Sequence, residues 1–490
     1  MNTHYDAIVV GGGGSGLAAA VSAAECGTSV LLLEKQPHLG GTTGISVGSY
    51  TANRTRLQKR AGVEDSLDAH AEDAGKFAAA DIEARNNDEL RRFFLSHSAA
   101  TLDWLMGMGL RYHGPSPEPP NRVPRMHNVV PGAKIYIATL QAHLERHGGT
   151  ILCGAPVVEL TREDGRVKGV VAEIEGARTT FTAARGVVLA AGDYANSAAH
   201  ISRFKGERFT AIEGINPHSG GDGHRLAEEA GAQLLNMDVT YGPELRFVPP
   251  PGRTFQQLLP TRGPLAWFMG RLLPAAPRLL TNALIRRLLV TWQHPENALF
   301  DDGALLVNKN GECFCDATVW PDREIAIAQQ PDKICYILLD RRLAERYSAW
   351  PHFISTAPKI AYAYVEDYLK LRPDVAVRGT LDAVAARRGL PADALRSSID
   401  AHNADGQALA GDAWVLLGPA KAYFTTTEGG AAINQQFQVL DEENQTIPGL
   451  YAVGQNGLGG QILWGHGLHI AWAMTSGRLV GEILTRGAAD

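Results

Sequence analysis

Short, wholly apolar runs separated by an alanine-rich segment open the chain. Residues 5–10 have the continuous apolar pattern of a buried strand, and residues 15–26 have helical spacing. A second apolar run over residues 29–33 ends in Glu34. The order strand, helix, strand predicts a βαβ unit at the N-terminus. Residues 64–109 then carry helical periodicity.

The pattern changes near residue 151 to short strands joined by the turn signals Asp164-Gly165 and Glu175-Gly176. Another buried strand, 187–191, is followed by Gly192, and a different mixture of strands and amphipathic helices fills residues 240–425. Strand and helix signals of the first type return at 449–453 and 467–484.

This return predicts an α/β fold with a split Rossmann-like domain interrupted by an inserted α+β cap. The predicted divisions are 1–239 for the first part, 240–424 for the cap and 425–490 for the second part.

Composition excludes several classes of protein. With 490 residues, 45% of them hydrophobic, the chain can bury more than one core. A net charge of −6 argues against nucleic-acid binding. Five scattered cysteines argue against a disulfide framework. No export signal opens the chain, and arginines and prolines interrupt its longest apolar stretch, 264–292. We therefore expect a cytoplasmic protein with no transmembrane segment.

Two glycine-rich loops carry the candidate chemistry. Residues 11–16, GGGGSG, satisfy G-x-G-x-x-G between a predicted strand and helix, where backbone amides can face a pyrophosphate. Glu34, at the end of the next strand, suits an unphosphorylated ribose and therefore FAD or NAD. A second loop, residues 38–48, follows at once and brings further amides and threonine hydroxyls, which favours a flavin.

The order of these and later motifs resembles one flavoprotein family. The motifs are GGGGSG, E-K-x-P-x-x-GG-T-T-x-x-S-x-G, VVLAAG, T-E-GG and IPGLYAVGQ. They are similar to those of the FAD-dependent oxidoreductases that include fumarate reductase and succinate dehydrogenase flavoprotein subunits and 3-ketosteroid dehydrogenases. The resemblance implies FAD contacts at Gly11, Gly13, Gly14, Ser15, Gly16, Glu34, Lys35, Gly40, Gly41, Thr42, Thr43, Gly44, Ser46, Val157, Ala191, Gly192, Gly454, Gln455 and Leu468.

The same resemblance bears on how FAD is held and how electrons arrive. Members with covalent flavin carry a histidine after the double glycine, whereas this chain has residues 42–46, TTGIS, and so noncovalent FAD is expected. The sequence has no C-x-x-C-H haem motif and no second G-x-G-x-x-G. We therefore expect an external electron acceptor or donor.

Two substitutions make a small dicarboxylate an unfavourable substrate. Thr426 stands where fumarate reductases have a histidine, and Trp464 stands at their carboxylate-binding arginine. Gly467 matches the ketosteroid dehydrogenase glycine whose amide binds the substrate carbonyl, and His466 beside it can carry a proton. Packing or capping is an equally good interpretation of His466.

The proton-transferring residue is not fixed by the resemblance. The family position falls on Pro321, which cannot transfer a proton, and Arg323 lies two residues further on. Tyr241, Tyr112 and Tyr136 are other candidates, although core packing or a place in the pocket wall is the better interpretation of each tyrosine. Arg323 is equally well interpreted as a surface residue that begins a helix. Cys313 and Cys315 have no accompanying ligands, and burial on a strand is expected rather than a metal site.

We predict α,β-desaturation of a cyclic ketone, steroid-like or smaller, or the reverse ene reduction. The alternatives are a fumarate-reductase-like enzyme for an unsaturated acid and a flavin-scaffolded isomerase. The leucine spacing of residues 278–292 predicts an amphipathic helix. We expect it to be buried against the cap; the alternatives are a membrane-surface contact and an entrance for an apolar substrate.

Overall fold

The computed structural model describes residues 2–250, 252, 259–261, 269, 286–287, 289–291, 294–357, 361–404, 406 and 408–486. Most of the predicted amphipathic helix at 278–292 lies outside these residues. The predicted α/β class is confirmed.

The first sheet is built on the predicted βαβ unit. The strand His4–Val10 pairs in parallel with Val30–Glu34 on one side and with Ala177–Leu189 on the other. Antiparallel hairpins extend it, and the chain turns with positive φ at Asp164 and Glu175, as the turn signals predict. The sheet comprises Gln438–Leu440, Thr446–Ala452, Ala177–Leu189, His4–Val10, Val30–Glu34, Thr150–Cys153, Val157–Glu163 and Arg166–Ile174.

The first and last helices pack against each other closely enough to exclude side chains at the crossing. A Cβ at Gly477 would lie 2.3 Å from the Ser15 carbonyl oxygen, and one at Gly481 would lie 2.6 Å from Cβ of Ser22. The final helix, Leu468–Arg486, thereby completes the domain that the N-terminus begins. This is the return that the sequence pattern predicts.

A second sheet organises the predicted cap. Its strands are Glu213–Gly214, Glu244–Phe247, Leu305–Asn308, Cys335–Asp340, Ala376–Gly379 and Trp414–Phe424. Its core also includes Tyr194, Ile201 and Ile212, which lie before the predicted boundary at 240. Cys313 and Cys315 follow the strand Leu305–Asn308 in a loop, where Cys313 is exposed and Cys315 is half-buried, so their expected burial on a strand is wrong.

Smaller groups of strands lie outside the two main sheets. A three-stranded sheet contains Ser49–Thr51, Arg111–Ser116 and Met126–Val130. The two-stranded pairs are Leu234–Leu235 with Gly430–Ala431, Thr240–Tyr241 with Thr426–Thr427, and Ser355–Ala357 with Ala361–Ala363.

The remaining described helices lie around these sheets. They are Gly14–Glu25, Gly41–Ile45, Arg56–Arg60, Leu67–Ala74, Ala80–Glu83, Asp88–Gly107, Lys134–Arg146, Ala198–Phe204, Asp222–Glu229, Ala298–Asp301, Asp322–Ala328, Arg341–Arg346, Val365–Leu371, Leu381–Arg388 and Ala392–Ala404, with 3₁₀ turns at Glu207–Phe209, Pro331–Lys333 and Gly454–Gly457. In this described part, no helix has the length and apolar character needed to cross a membrane.

Candidate active site

The first glycine loop is a tight turn whose glycines are required by close backbone contacts. Gly11 has φ +113°, and a Cβ there would lie 2.4 Å from the Ala190 carbonyl oxygen. A Cβ at Gly16 would lie 1.9 Å from the Gly11 carbonyl oxygen. The helix Gly14–Glu25 begins immediately after this turn, and its first amides have no partner within the helix. The loop therefore presents donors and a positive dipole end to an anion.

Glu34 is buried at the end of the neighbouring strand and supports the loop directly. Its Oε2 accepts a hydrogen bond from the Gly12 amide at 2.7 Å, and Oε1 accepts one from the Gln36 amide at 2.8 Å. Each carboxylate oxygen keeps a further lone pair for a ribose hydroxyl. The predicted position of Glu34 beside the first loop is thus what the structure shows.

The second glycine loop lies against the first. The Gly40 amide donates to the Gly12 carbonyl oxygen at 3.0 Å, and the Gly14 amide donates to Oγ1 of Thr43 at 3.3 Å. A Cβ at Gly41 would lie 3.2 Å from Cα of Gly13. Two stretches predicted separately from sequence therefore form one continuous backbone surface.

A third wall comes from the C-terminal part of the domain. Asn456 accepts a hydrogen bond from the Ala191 amide at 2.6 Å and donates one to the Gly192 carbonyl oxygen at 2.9 Å. Gly454 has φ +57°, and its amide donates to Oγ of Ser476 at 3.0 Å. Sequence reasoning selected the neighbours of Asn456 and missed Asn456 itself, although it directly follows Gly454 and Gln455.

The other predicted cofactor residues are distributed around these loops. Lys35 forms an ion pair with Asp222 at 2.5 Å, and the Asn216 side-chain amide donates to Oγ1 of Thr42 at 3.0 Å. Ser46 caps its own short helix by donating to the Thr43 carbonyl oxygen. Val157 and Leu468 are buried apolar residues, and the structure shows no polar contact of their side chains.

The residues present fit a dinucleotide with a flavin. Cβ atoms added at Gly40 and Gly192 would meet no described protein atom within 4 Å, so the absence of side chains keeps the loop edges accessible to a ligand. Glycine loops, a helix N-terminus and a buried carboxylate together supply donors for phosphates and an acceptor for ribose. These groups are the ones that would hold FAD.

The predicted carbonyl-binding corner contains a residue that sequence reasoning missed. Oε1 of Glu118 accepts hydrogen bonds from the His466 amide at 2.7 Å and from ring Nδ1 of His466 at 2.8 Å. Glu118 is 5% exposed, whereas the His466 side chain is 58% exposed. His466 therefore has one nitrogen bound to Glu118 and leaves Nε2 for a ligand.

The Glu118 carboxylate controls the charge of His466. Partial desolvation of the imidazole opposes its protonation, but the hydrogen bond to Glu118 and the charge of Glu118 outweigh this effect and raise the pKa of His466 above its ordinary value. The protonated ring is a donor at both nitrogens. Through Nε2, His466 can therefore donate a hydrogen bond to an oxygen of a ligand.

A buried ion-pair network anchors the segment that carries Glu118. The fully buried Arg125 contacts Asp65 and Asp73, at 2.7 Å each, and donates to Oδ1 of Asn121 at 2.8 Å. The Asn121 amide in turn donates to the Glu118 carbonyl oxygen at 2.9 Å. The proline-rich segment is therefore held in place by charge pairs rather than by regular secondary structure.

Gly467 is held by the edge of a strand. Thr51 donates from its hydroxyl to the His466 carbonyl oxygen at 2.7 Å and from its amide to the Gly467 carbonyl oxygen at 3.2 Å. Gly467 has φ +89°, and a Cβ there would lie 2.9 Å from the Ser49 carbonyl carbon. A side chain at this position would collide first with the strand, so the glycine is required by the backbone.

Trp464, which stands at the carboxylate-binding arginine of fumarate reductases, lies in contact with Tyr241, a candidate for proton transfer. The rings of Tyr241 and Trp464 pack edge-to-face with centroids 5.6 Å apart. Desolvation raises the pKa of Tyr241 far above its ordinary value, so its hydroxyl keeps its proton at neutral pH. Nε1 of Trp464 is buried and has no hydrogen-bond partner among the described residues.

Thr426 contributes no charge to the site. It is buried, accepts a hydrogen bond from Gln455 at 2.7 Å and donates one to Asp193 at 3.4 Å. Burial raises the pKa of Asp193. Gln455, predicted as an FAD contact, therefore also links the cofactor region to this polar group.

Near the site, the positive charge of Arg246 is matched by a carboxylate. Arg246 and Glu244 form an ion pair at 2.6 Å, with both side chains largely buried. His294 lies in their electrostatic field, and burial lowers its pKa, which favours the neutral ring. The pair Arg246–Glu244 therefore brings no net positive charge.

Arg323 occupies a supporting position rather than an open one. Each of its three guanidinium nitrogens already donates to a protein acceptor: Glu324, the Ala317 carbonyl oxygen or Asn297. It is also stacked over Phe300 and is 4% exposed. The surface interpretation is wrong because Arg323 is buried, and its role in proton transfer stays a prediction.

The family model for an FAD binding domain matches residues 6–259 and 283–462. The chain belongs to this family. It is a flavin-dependent oxidoreductase acting on CH–CH groups, and its cofactor is FAD.

Two relatives illustrate the range of the family. A fumarate reductase (cytochrome) of Shewanella frigidimarina is 25% identical over 488 residues, covering 97% of this chain and 76% of the relative. A vinyl phenol reductase of Lactiplantibacillus plantarum is 26% identical over 513 residues, covering 98% and 96% respectively.

The fold is also that of a solved 3-ketosteroid Δ1-dehydrogenase from Sterolibacterium denitrificans. The TM-score is 0.65 at 18% identity, covering 99% of this chain and all of the other. The resemblance inferred from sequence motifs is confirmed.

Proposed function

We propose that the enzyme exchanges a hydride at the CH–CH bond next to the carbonyl of a cyclic ketone, steroid-like or smaller. The reaction is α,β-desaturation of the ketone or, in reverse, reduction of the enone. The proposal rests above all on the pairing of Tyr241 with Trp464 beside the hydrogen-bonded pair Glu118–His466. An aromatic wall next to a hydrogen-bond donor suits an apolar ring that carries one oxygen.

A dicarboxylate is disfavoured by the charges of the site. Thr426 and Trp464 are neutral, and Glu244 matches the charge of Arg246. A second carboxylate would lose water without gaining a cationic partner among the residues that the structure describes. The vinyl phenol reductase relative supports the view that members of this family need not act on dicarboxylates.

Bound FAD supplies the acceptor or donor of the hydride. His466 and the Gly467 amide would hold the substrate carbonyl, because negative charge grows on that oxygen when the α-proton leaves. Tyr241 keeps its proton and suits donation better than abstraction. His466 and Tyr241 would supply protons in the reductive direction and take them back in the oxidative one, and an external electron donor or acceptor would complete turnover.

Anaerobic mixing tests the proposal. The oxidised holoenzyme is mixed with a cyclohexanone derivative or a saturated 3-ketosteroid, and the reduced holoenzyme is mixed with the matching enones and with fumarate. We expect the ketones to bleach the flavin absorbance and the enones to restore it, with fumarate at least tenfold slower.

Rapid reoxidation by fumarate with no response to any ketone or enone would overturn the proposal. An isomerase would instead convert the substrate with no net flavin reduction and no consumption of an artificial electron acceptor.

A further inference from the structure

Three side chains of types that can ligate a metal ion meet where two helices end, away from the residues assigned above. Glu25 is the last residue of the helix Gly14–Glu25, and His143 and His147 lie one turn apart at the end of the helix Lys134–Arg146. Each offers a ligand atom, and these atoms lie within 4.8 Å of one another. Glu25 and His147 are exposed, and His143 is half-buried.

Protein partners orient two of these side chains and leave ligand atoms available. Trp104 donates from Nε1 to Oε2 of Glu25 at 2.9 Å, leaving Oε1. His147 donates from Nδ1 to the His143 carbonyl oxygen at 2.8 Å, which leaves Nε2 with its lone pair. Metal-ligating histidines commonly make such a hydrogen bond through the second ring nitrogen.

His143 supplies the least expected observation. Its Nδ1 is buried and makes no hydrogen bond of ordinary geometry with the described residues, although the Met108 backbone lies close to the ring. A buried polar atom without a partner is unfavourable and calls for an explanation. A bound cation beside the two neighbouring ligands would provide the missing partner.

We propose that Glu25, His143 and His147 bind a divalent transition metal ion of the Zn²⁺ type. Two imidazoles and one carboxylate suit this class, whereas Ca²⁺ and Mg²⁺ prefer oxygen ligands. Zn²⁺ binds such ligands at about 2.0–2.2 Å, and small side-chain rotations of the exposed Glu25 and His147 bring them into range. The ion would tie the first helix of the FAD domain to the helix Lys134–Arg146.

Calorimetric titration of chelator-treated holoenzyme with Zn²⁺ alone tests this site. We expect one saturable site and a melting temperature that rises with Zn²⁺. His147→Ala and Glu25→Gln should each weaken binding about tenfold or more without changing the FAD content. His4→Ala removes an exposed histidine elsewhere and should leave binding unchanged.

A spectroscopic readout locates the ion. Ni²⁺ or Cu²⁺ should quench tryptophan fluorescence through Trp104, and Trp104→Phe should remove that component of the quenching. Absence of a saturable site in the wild type would overturn the proposal. Glu25→Gln keeps the shape of the side chain and therefore serves as the test variant if His147→Ala fails to fold. Wild-type Zn²⁺ affinity in Glu25→Gln would also overturn the proposal.

Discussion

One carboxylate oxygen of Glu118 binds both the backbone and the ring of His466, at 2.7 and 2.8 Å, across 348 positions of sequence. The two hydrogen bonds fix the ring position and its charge together. Glu118 holds the His466 ring in a fixed position, and Nε2 stays accessible because the His466 side chain remains largely exposed. A group fixed before the substrate arrives needs little reorganisation during the reaction.

Glu118→Gln should lower the pKa of His466, because the neutral amide no longer favours the imidazolium. Because the pKa of His466 is raised in the folded protein, activity that needs the protonated ring is highest at low pH. This activity is lost as pH rises through the pKa of His466. The alkaline limb of kcat/KM for enone reduction should therefore move to lower pH in the variant. The exposed Glu443→Gln is the matched control; an unmoved limb in Glu118→Gln would remove Glu118 from this role.

His466→Ala should slow flavin reduction by the ketone roughly 10²–10³-fold, the usual effect of losing one preorganised donor. FAD content and melting temperature should stay near wild type, because the His466 side chain is largely exposed. Single-turnover absorbance measures the rate. A wild-type rate would leave His466 as a packing residue and make Tyr241→Phe the next variant to examine.

Gly467→Ala should destabilise the protein and reduce activity through its backbone. The added Cβ would lie 2.9 Å from Ser49 at φ +89°. Gly231→Ala is a matched control, since Gly231 has φ +87° but meets no described atom within 4 Å. Strain alone costs on the order of 1–3 kcal/mol, so urea unfolding should show a larger loss in Gly467→Ala than in Gly231→Ala. Equal losses of unfolding free energy in the two variants would show that the protein relieves the contact with Ser49 at no cost in stability.

Local patterns explain what the sequence predicts well. Gly11, Gly16 and Glu34 lie in one strand–loop–helix–strand unit, and their roles follow from chain order and from the backbone contacts of that unit. The two hairpin turns at Asp164 and Glu175 are equally local. Such features need no knowledge of distant residues.

Long-range contacts explain what the sequence does not predict. Glu118 lies among prolines with no periodic pattern, and its importance appears only when His466 is placed beside it. Arg323 has an ordinary helix-start pattern, yet Asn297 and Glu324 hold it in the interior. The partner of a buried charge is set by tertiary packing, which composition and spacing do not record.

Acid precipitation should release intact FAD into the supernatant. The stretch Gly41–Ile45 is a short helix with threonines and no histidine, so it offers no nucleophile matching that of the covalent flavoproteins. Absorbance of the supernatant and pellet measures the partition. Yellow colour retained in the denatured pellet would contradict noncovalent attachment, and mass spectrometry of a tryptic digest would then locate the bond.

Glu34→Ala should weaken FAD binding by about 1.5–3 kcal/mol, the typical value of hydrogen bonds to a charged group, or roughly 10- to 150-fold in Kd. The carboxylate accepts two backbone amides besides any ribose hydroxyl, so its removal also loosens the first glycine loop. Glu34→Gln separates these effects, because the amide oxygen of glutamine can still accept a hydrogen bond from one backbone amide. This variant should therefore lose less FAD affinity than Glu34→Ala. Fluorescence titration of the apoprotein with FAD gives Kd, and Glu443→Ala controls for a general loss of charge. Retention of FAD at wild-type affinity in both variants would place the ribose away from Glu34.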